Sequence, residues 1–199
     1  MNVHAAPMNT RTADHPIHAQ FTERFSPRGF TAKTLTEAEL LALFEAARWA
    51  PSASNNQPWR FAYGLRGDAA FAKIAEGLVP FNRAWAEKAS ALVVVASRST
   101  VAKDGAETPN PWAQFDAGTA WGYFALQAYH AGLVSHAMGG FDAAVLAKNL
   151  NLPEGYVLHA VVAVGEHGDI EKLPEALQAR EVPNGRLPLA QIVAHGAFV

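Results

Sequence analysis

Three short polar segments carry the side chains that are best suited to chemistry: ERFSPRGF (23–30), PSASNNQPW (51–59) and AMGGFD (137–142). In the first segment Arg24, Ser26 and Arg28 alternate, and an extended chain would place all three on one side. Two guanidiniums and a hydroxyl suit a phosphate, because each guanidinium is always charged and offers a planar fork of donors. A solvated turn would explain the same residues, so this pattern alone leaves both interpretations open.

The second and third segments have features that suit a flat, polar ring. Asn and Gln supply both donors and acceptors, which matches the pyrimidine ring of a flavin, where carbonyl acceptors flank an N–H donor. The alternative is a helix C-terminus whose carbonyls are satisfied by Ser52, Ser54 and Asn55. In the third segment Gly139 and Gly140 would let the backbone approach a flat ligand, with an N–H available to flavin N5, because no Cβ intervenes. A simple turn would also account for the two glycines.

The composition excludes several classes of protein. The chain has 199 residues, of which 50% are hydrophobic and 17% charged, so it can bury one sizeable core. A formal net charge of −2 without a long basic run argues against nucleic-acid binding. The longest apolar stretch, ALVVVA, is too short to span a membrane and no signal segment is evident, which predicts a cytoplasmic protein. Because there is no cysteine, any redox chemistry must come from a bound cofactor.

Common catalytic motifs are missing from the sequence. No G-x-S-x-G, G-x-G-x-x-G or Walker pattern occurs, which argues against a serine hydrolase, a Rossmann dinucleotide site and a nucleotide hydrolase. No metal site is expected, because HPIH (15–18) adjoins the polar N-terminus while His130 and His136 lack a carboxylate partner in sequence.

Helices and strands that must position these segments are recognisable from their patterns. Residues 1–15 are expected to form a mobile arm and residues 16–199 a single domain. Thr36 and Glu39 form a capping box at the start of a helix that Pro51 ends, so the second polar segment is the loop leaving that helix. Strands are predicted at 59–65, 91–97 and 156–165, a polar loop at 99–113, and helices at 114–133 and 142–150.

Small residues recur along the long predicted helix, at Gly118, Gly122, Ala125 and Gly132. A glycine in a helix interior costs about 1 kcal/mol relative to alanine, so this face should be in close contact with another surface. That surface is either another part of the same chain or the same helix of a second subunit.

The order and spacing of these features, from about residue 20 onward, resemble the nitroreductase family of FMN-dependent NAD(P)H oxidoreductases. The shared features are R-x-S-x-R, PSxSNxQPW after the first long helix, an Asn before an apolar strand, a Gly-rich helix, GGFD and a late RLPL. The resemblance implies an α+β fold with a mostly antiparallel central sheet flanked by helices. It also implies an intertwined homodimer with FMN at the subunit interface.

The resemblance assigns cofactor-binding roles to particular residues. Arg24, Ser26 and Arg186 would bind the FMN phosphate, and Arg28 either the phosphate or the N1 end of the ring. Asn82 would face the flavin, with Met138, Gly139 and Gly140 along the ring near N5. The partner subunit would supply the 51–57 residues Pro51, Ser52, Ala53, Asn55 and Gln57. The family often has a further basic residue two places before the late Arg, where this chain has Asn184.

The activity implied by the resemblance is a ping-pong transfer of electrons from NAD(P)H to a small electron-poor acceptor such as a nitroaromatic, a quinone or an activated alkene. Flavin N5 would be the reactive atom, so no protein side chain is expected to be catalytic. The alternative is a flavin-binding module that stores, senses or fragments the cofactor without turnover. Neither membrane nor nucleic acid is an expected partner.

Overall fold

The computed structural model describes residues 9–198, apart from the side chain of Lys103. Its strands are β1 (Trp59–Leu65), β2 (Ala91–Arg98), β3 (Thr100–Lys103), β4 (Ala106–Pro109), β5 (Val134–Met138) and β6 (Tyr156–Gly165). Its helices are α1 (Gln20–Glu23), α2 (Glu37–Arg48), α3 (Ala69–Glu76), α4 (Pro80–Ala86), α5 (Ala113–His130), α6 (Ala143–Asn149) and α7 (Glu175–Gln178). Short 3-10 turns cover Ala53–Asn55, Ile170–Lys172 and Leu189–Gln191.

Four of the strands form an antiparallel sheet in the order β1-β2-β6-β5. The two central strands are rich in Val and Ala and pack on both faces, which explains their continuous apolar sequence. Their register shifts between Val95 and Ala96, which pair with Ala160 and Leu158 and leave His159 as an extra residue. Strands β1 and β5 therefore lie on opposite edges of the sheet.

Helices cover both faces of this sheet. Helices α2 and α5 pack on one face, around Leu40, Leu43 and Phe124, all almost fully buried. Helices α3, α4 and α6 cover the other face, with Ile74, Trp85 and Leu146 at the centre of the second core. The predicted α+β fold with a mostly antiparallel sheet is thereby confirmed.

Local sequence signals were reliable for most elements. The capping box is present, with Thr36 Oγ1 accepting from the Glu39 amide, and Asp68 caps α3 in the same way. Strand 156–165 has the predicted bounds, whereas the long helix ends at His130 because Gly132 has φ +72° and caps its C-terminus.

Two stretches differ from the prediction. The polar loop expected at 99–113 contains the β3–β4 hairpin, whose turn is formed by Asp104 and Gly105, both with positive φ. Residues 134–138, for which no element was predicted, form edge strand β5. A five-residue edge strand has too few side chains to show a clear period.

The predicted mobile arm lies partly outside the described residues, because it includes residues 1–8. Asn9 and Arg11 are described, and both donate to backbone carbonyls of residues 22–24. The mobility of the arm stays a prediction. Within residues 9–198 no helix combines the length and the apolar character needed to cross a membrane.

Candidate cofactor site

A cavity of about 380 Å³ opens between the R-x-S-x-R segment and the C-terminal residues 179–186. Five guanidiniums line it: Arg11, Arg24, Arg28, Arg180 and Arg186. Its lining has no Asp or Glu, and within residues 9–198 none of the five arginines forms an ion pair. Positive charge gathered in a lining that has no carboxylate is suited to binding an anion, and a phosphate in particular.

Arg24 and Ser26 are brought together at this cavity, as the alternating pattern predicted. The Arg24 Nη1 group donates to Ser26 Oγ and to the Phe25 carbonyl oxygen, both at 3.3 Å. Burial, followed by the charges of Arg186 and Arg11, lowers the pKa of Arg24. A bound anion would relieve the repulsion between these three guanidinium groups.

Arg186 reaches the cavity from the other end of the chain. Its Nη1 group donates to the carbonyl oxygens of Asn184 and Gly185, at 3.2 and 2.9 Å. These bonds fold the side chain back over its own segment, which places the guanidinium beside Arg24 and Arg11 in the cavity lining. The predicted phosphate ligands Arg24, Ser26 and Arg186 therefore share one cavity.

Arg28 also lines this cavity. Its guanidinium lies over the indole of Trp85, with Cζ 5.8 Å from the ring centroid. Its Nε is buried and has no hydrogen-bond partner in the described part of the chain. Leaving a buried donor unpaired costs about 1–3 kcal/mol, so a ligand acceptor at this point would stabilise the arrangement.

A buried carboxylate, which sequence analysis missed, fixes the backbone of this segment. Glu181 Oε1 accepts from the amides of Arg28 and Gly29, at 2.6 and 2.7 Å, and the residue is fully buried. Burial by itself would raise the pKa of Glu181, but the His167 ring, whose Nε2 lies 3.7 Å from Oε1, and the hydrogen bonds from the Gly29 and Arg28 amides lower it overall. Glu181 is therefore ionised at neutral pH and holds the C-terminal segment against residues 24–29.

His136 forms one wall of the cavity and is held in a single orientation. Its Nδ1–H donates to the Pro27 carbonyl oxygen at 3.1 Å, an assignment that follows from the partner being an acceptor. Its ring centroid is 4.8 Å from that of Trp85. Burial, and then the nearby Arg28 charge, lower the pKa of His136, so the ring is neutral at pH 7 and Nε2 is an acceptor.

Strand β5 leads from this wall to a second group of predicted residues. From His136 the extended chain rises about 7 Å to Met138, at about 3.3 Å per residue, and Gly139 and Gly140 follow. Asn82 Nδ2 donates to the Gly140 carbonyl oxygen at 3.0 Å. A Cβ at Gly140 would lie 2.6 Å from Asn82 Nδ2, whereas one at Gly139 would meet nothing within 4 Å.

These contacts show which of Met138, Gly139 and Gly140 could contact a ligand. Met138 is only 3% exposed and belongs to the second core, so its side chain is not available to a ligand. Gly139 is exposed, and its open side would admit a flat ligand. Gly140 is required by its close approach to Asn82. A simple turn alone does not require a glycine at position 139.

The 51–57 loop has an unusual backbone. Ser54, Asn55 and Gln57 have φ of 51°, 54° and 47°, in the left-handed region that costs a non-glycine residue about 1–2 kcal/mol. Asp116 of α5 is buried and accepts from the Ala53 amide at 3.2 Å, and Ser52 Oγ accepts from the Gln57 amide at 3.0 Å. The loop is therefore held rigid, with Pro51, Asn55 and Gln57 exposed. Rigid, strained polar loops are common at ligand sites.

Within one chain this loop does not reach the arginine cavity. It leads into β1, while the cavity and Gly139 adjoin β5 on the opposite sheet edge, three strand spacings or about 14 Å away. None of Pro51, Ser52, Ala53, Asn55 and Gln57 lines the cavity. A second copy of the chain would be needed to bring them there.

Helix α5 presents a surface suited to such a second copy. Added Cβ atoms at Gly118 and Gly122 would meet nothing within 4 Å, so packing inside the chain does not require these glycines. Phe115, one turn before Gly118 on the same side of the helix, is 73% exposed. Of the other predicted members of this face, Ala125 is buried in the core and Gly132 is a helix cap.

Three residues of the cavity lining had not been predicted, Arg11, Arg180 and His136, nor had Glu181, which holds the adjoining backbone. Arg180 and Glu181 follow a four-residue helix in a segment without periodicity, so nothing in the sequence marks them. Arg11 lies in the stretch interpreted as a mobile arm. The one signal that could have pointed to these residues is the presence of further arginines near both ends of the chain, Arg11, Arg180 and Arg186.

Comparison with known proteins gives matches both in sequence and in structure. The model of the nitroreductase family matches residues 21–76 and 64–166. A crystal structure of an FMN-containing oxidoreductase is 38% identical, with a TM-score of 0.94 over 96% of this chain and 98% of that one. An uncharacterized 15.4 kDa protein of Mycolicibacterium smegmatis is 35% identical over 70% of this chain and 97% of its own length. The oxygen-insensitive NAD(P)H nitroreductase of Enterobacter cloacae is 29% identical over 86% of this chain and 95% of its own.

Proposed function

Because the chain belongs to the nitroreductase family, we propose that it is an FMN-dependent oxidoreductase that takes electrons from NAD(P)H. FMN and NAD(P)H are named for similar proteins, the FMN-containing oxidoreductase and the Enterobacter enzyme. The arginine cavity fits the phosphate end of FMN, and the backbone at Gly139 fits the ring end.

The arginine cavity is the observation that carries the proposal. FMN has one terminal phosphate, which is dianionic at neutral pH, and no second phosphate or adenine to accommodate. Arg24, Ser26 and Arg186 would bind this phosphate, because their donors converge on one cavity whose lining has no carboxylate among the described residues. Arg28 would complete it or contact the N1 end of the ring, and its unpaired buried Nε suits either acceptor.

The ring would lie past the cavity, along β5 and toward Asn82. The exposed Gly139 leaves space for a flat ligand, and Gly140 holds Asn82 through its carbonyl oxygen. The amide oxygen of Asn82 stays available as an acceptor. Met138 would contribute backbone only, because its side chain is in the core.

The remaining ligands would come from a second subunit. We propose a homodimer in which α5 packs through Gly118 and Gly122 and the partner's 51–57 loop reaches the site. The positive-φ residues and the bond to Asp116 keep that loop in one shape before the ligand binds, which reduces the entropy lost on binding.

When bound, FMN supplies the hydride chemistry, which no side chain of this protein could perform. Arg24, Ser26 and Arg186 would hold the phosphate, and Arg28, if it contacts the N1 end, would place positive charge near the ring. Donor and acceptor would use the same face in turn, which predicts ping-pong kinetics. Nitroaromatics, quinones and activated alkenes are the proposed acceptors.

The proposal is tested by the identity of the flavin and by turnover. The purified or reconstituted protein should release FMN, and not FAD, on heat denaturation, and should oxidise NADPH or NADH steadily when menadione or a nitroaromatic is supplied. Initial rates at several acceptor concentrations should give parallel double-reciprocal lines. Release of FAD, or absence of flavin even after reconstitution, would overturn the proposal.

A further inference from the structure

Arg11, in the N-terminal segment that precedes the family match, lines the arginine cavity. Its Nε donates to Asn9 Oδ1 and its Nη2 to the carbonyl oxygens of Glu23 and Arg24, all at 3.1 Å. Three bonds on one edge of the guanidinium fix its orientation. The remaining nitrogen, Nη1, has no hydrogen-bond partner among residues 9–198.

The charge of Arg11 is placed where it acts on the predicted phosphate ligands. Burial, and then the charge of Arg186, lower the pKa of Arg11, and Arg11 in turn contributes to the lowered pKa of Arg24. The three guanidiniums are therefore close enough to repel one another, and within the described chain no carboxylate pairs with any of them. Such a cluster is stabilised by an anion that all three share.

Asn184, in the same cavity, leaves a position without charge. The resemblance led us to expect a basic residue at this position. Arg11 supplies a guanidinium to this cavity from the opposite end of the chain.

We propose that Arg11 is a ligand of the FMN phosphate, so that the N-terminal segment closes over the cofactor's phosphate end. This inference rests on the proposed FMN site. It goes beyond the residues that the resemblance assigns, because Arg11 was placed in the mobile arm. It also predicts that residues 9–15 become better ordered when the phosphate is bound.

The test compares FMN with riboflavin, which lacks the phosphate. Dissociation constants of both ligands are measured by fluorescence quenching for the apo forms of wild type, Arg11→Ala and Arg11→Gln. Arg24→Ala is a positive control, and Lys73→Ala removes one exposed positive charge from α3 as the matched control. The Gln variant keeps an amide donor for the carbonyls of residues 23 and 24, so it remains informative if Arg11→Ala does not fold.

We expect both Arg11 variants to weaken FMN binding about 5- to 10-fold. This loss is larger than that from breaking an exposed ion pair and smaller than that from breaking a buried charged hydrogen bond. Riboflavin binding should not change, and Lys73→Ala should affect neither ligand. Unchanged FMN binding would overturn the inference. Equal losses for FMN and riboflavin would also overturn it, because they would show that Arg11 only supports the fold.

A second readout separates this inference from the proposed function. Inorganic phosphate should raise the melting temperature of the apo wild type and raise that of Arg11→Gln less. If wild type binds phosphate through Arg11 but does not bind FMN, the proposed function fails and Arg11 remains an anion ligand. If wild type binds neither, both proposals fail.

Discussion

Glu181 and Arg28 are 153 residues apart in the chain, yet Glu181 Oε1 accepts a 2.6 Å hydrogen bond from the Arg28 amide. A second bond from the Gly29 amide uses the same oxygen, and the carboxylate is fully buried. Since both donors are backbone groups, the carboxylate positions the R-x-S-x-R segment without using its side chains. The arginine cavity thus depends on the C-terminal segment staying in place.

Removing this carboxylate should destabilise the protein in a pH-dependent way. Replacing Glu181 with Gln weakens two charge-assisted bonds, which should lower the free energy of unfolding at pH 7 by about 1–3 kcal/mol. The folded-state pKa of Glu181 is lowered, so its stabilisation is present above the unfolded-state pKa of about 4.3 and is lost as pH falls through the folded value. Urea unfolding of both proteins at pH 7 and at pH 3 measures the effect. A difference that does not shrink in acid would contradict this account.

Arg28→Ala should distinguish two contacts with the flavin. Loss of one charged hydrogen bond costs about 1.5–3 kcal/mol, or roughly 10- to 150-fold in an equilibrium constant. A phosphate contact acts on oxidised and reduced FMN nearly equally, so only the dissociation constant would rise. A contact at the N1 end favours the reduced anion, so the midpoint potential would fall. Two unchanged values, with Lys73→Ala as the control, would remove Arg28 from the site.

The paired glycines should respond differently to alanine. In Gly140→Ala the new Cβ would lie 2.6 Å from Asn82 Nδ2 and 3.0 Å from a Val79 methyl group, so overpacking should cost about 1–3 kcal/mol of stability. Gly139→Ala has open space and should unfold at the wild-type urea concentration. If a ring approaches this backbone, Gly139→Ala will nevertheless weaken both FMN and riboflavin binding. Wild-type affinity for both would place the ring elsewhere.

The proposed dimer is tested at Gly122. The isolated chain leaves position 122 open, because an added Cβ meets nothing within 4 Å, and leucine improves helix propensity by about 1 kcal/mol. Gly122→Leu should therefore fold, elute as a monomer and lose FMN together with the dimer. The control is Ala72→Leu, which adds a leucine at an exposed position of α3. Sedimentation that shows monomeric wild type with tightly bound FMN would contradict the dimer.

Sequence analysis was most successful where structure is determined locally. The Thr36–Glu39 capping box and the valine-rich strands are encoded within a few neighbouring residues, and the structure has them as predicted. The convergence of Arg24, Ser26 and Arg186 followed from family resemblance, since residues 160 positions apart carry no local signal of their contact. Glu181 was missed because it accepts from backbone amides, which any sequence provides, and Arg11 because it lies in the stretch interpreted as a mobile arm. The loop at 99–113 was misjudged because a short exposed hairpin has the composition of a loop.

The most direct test of the oxidoreductase is the absorbance spectrum of the FMN-loaded protein in the absence of oxygen. Adding one equivalent of NADPH or NADH should abolish the flavin absorbance, and menadione or a nitroaromatic added next should restore it. Tightly bound FMN whose absorbance neither nicotinamide changes would contradict the enzyme and support a flavin-binding module without turnover.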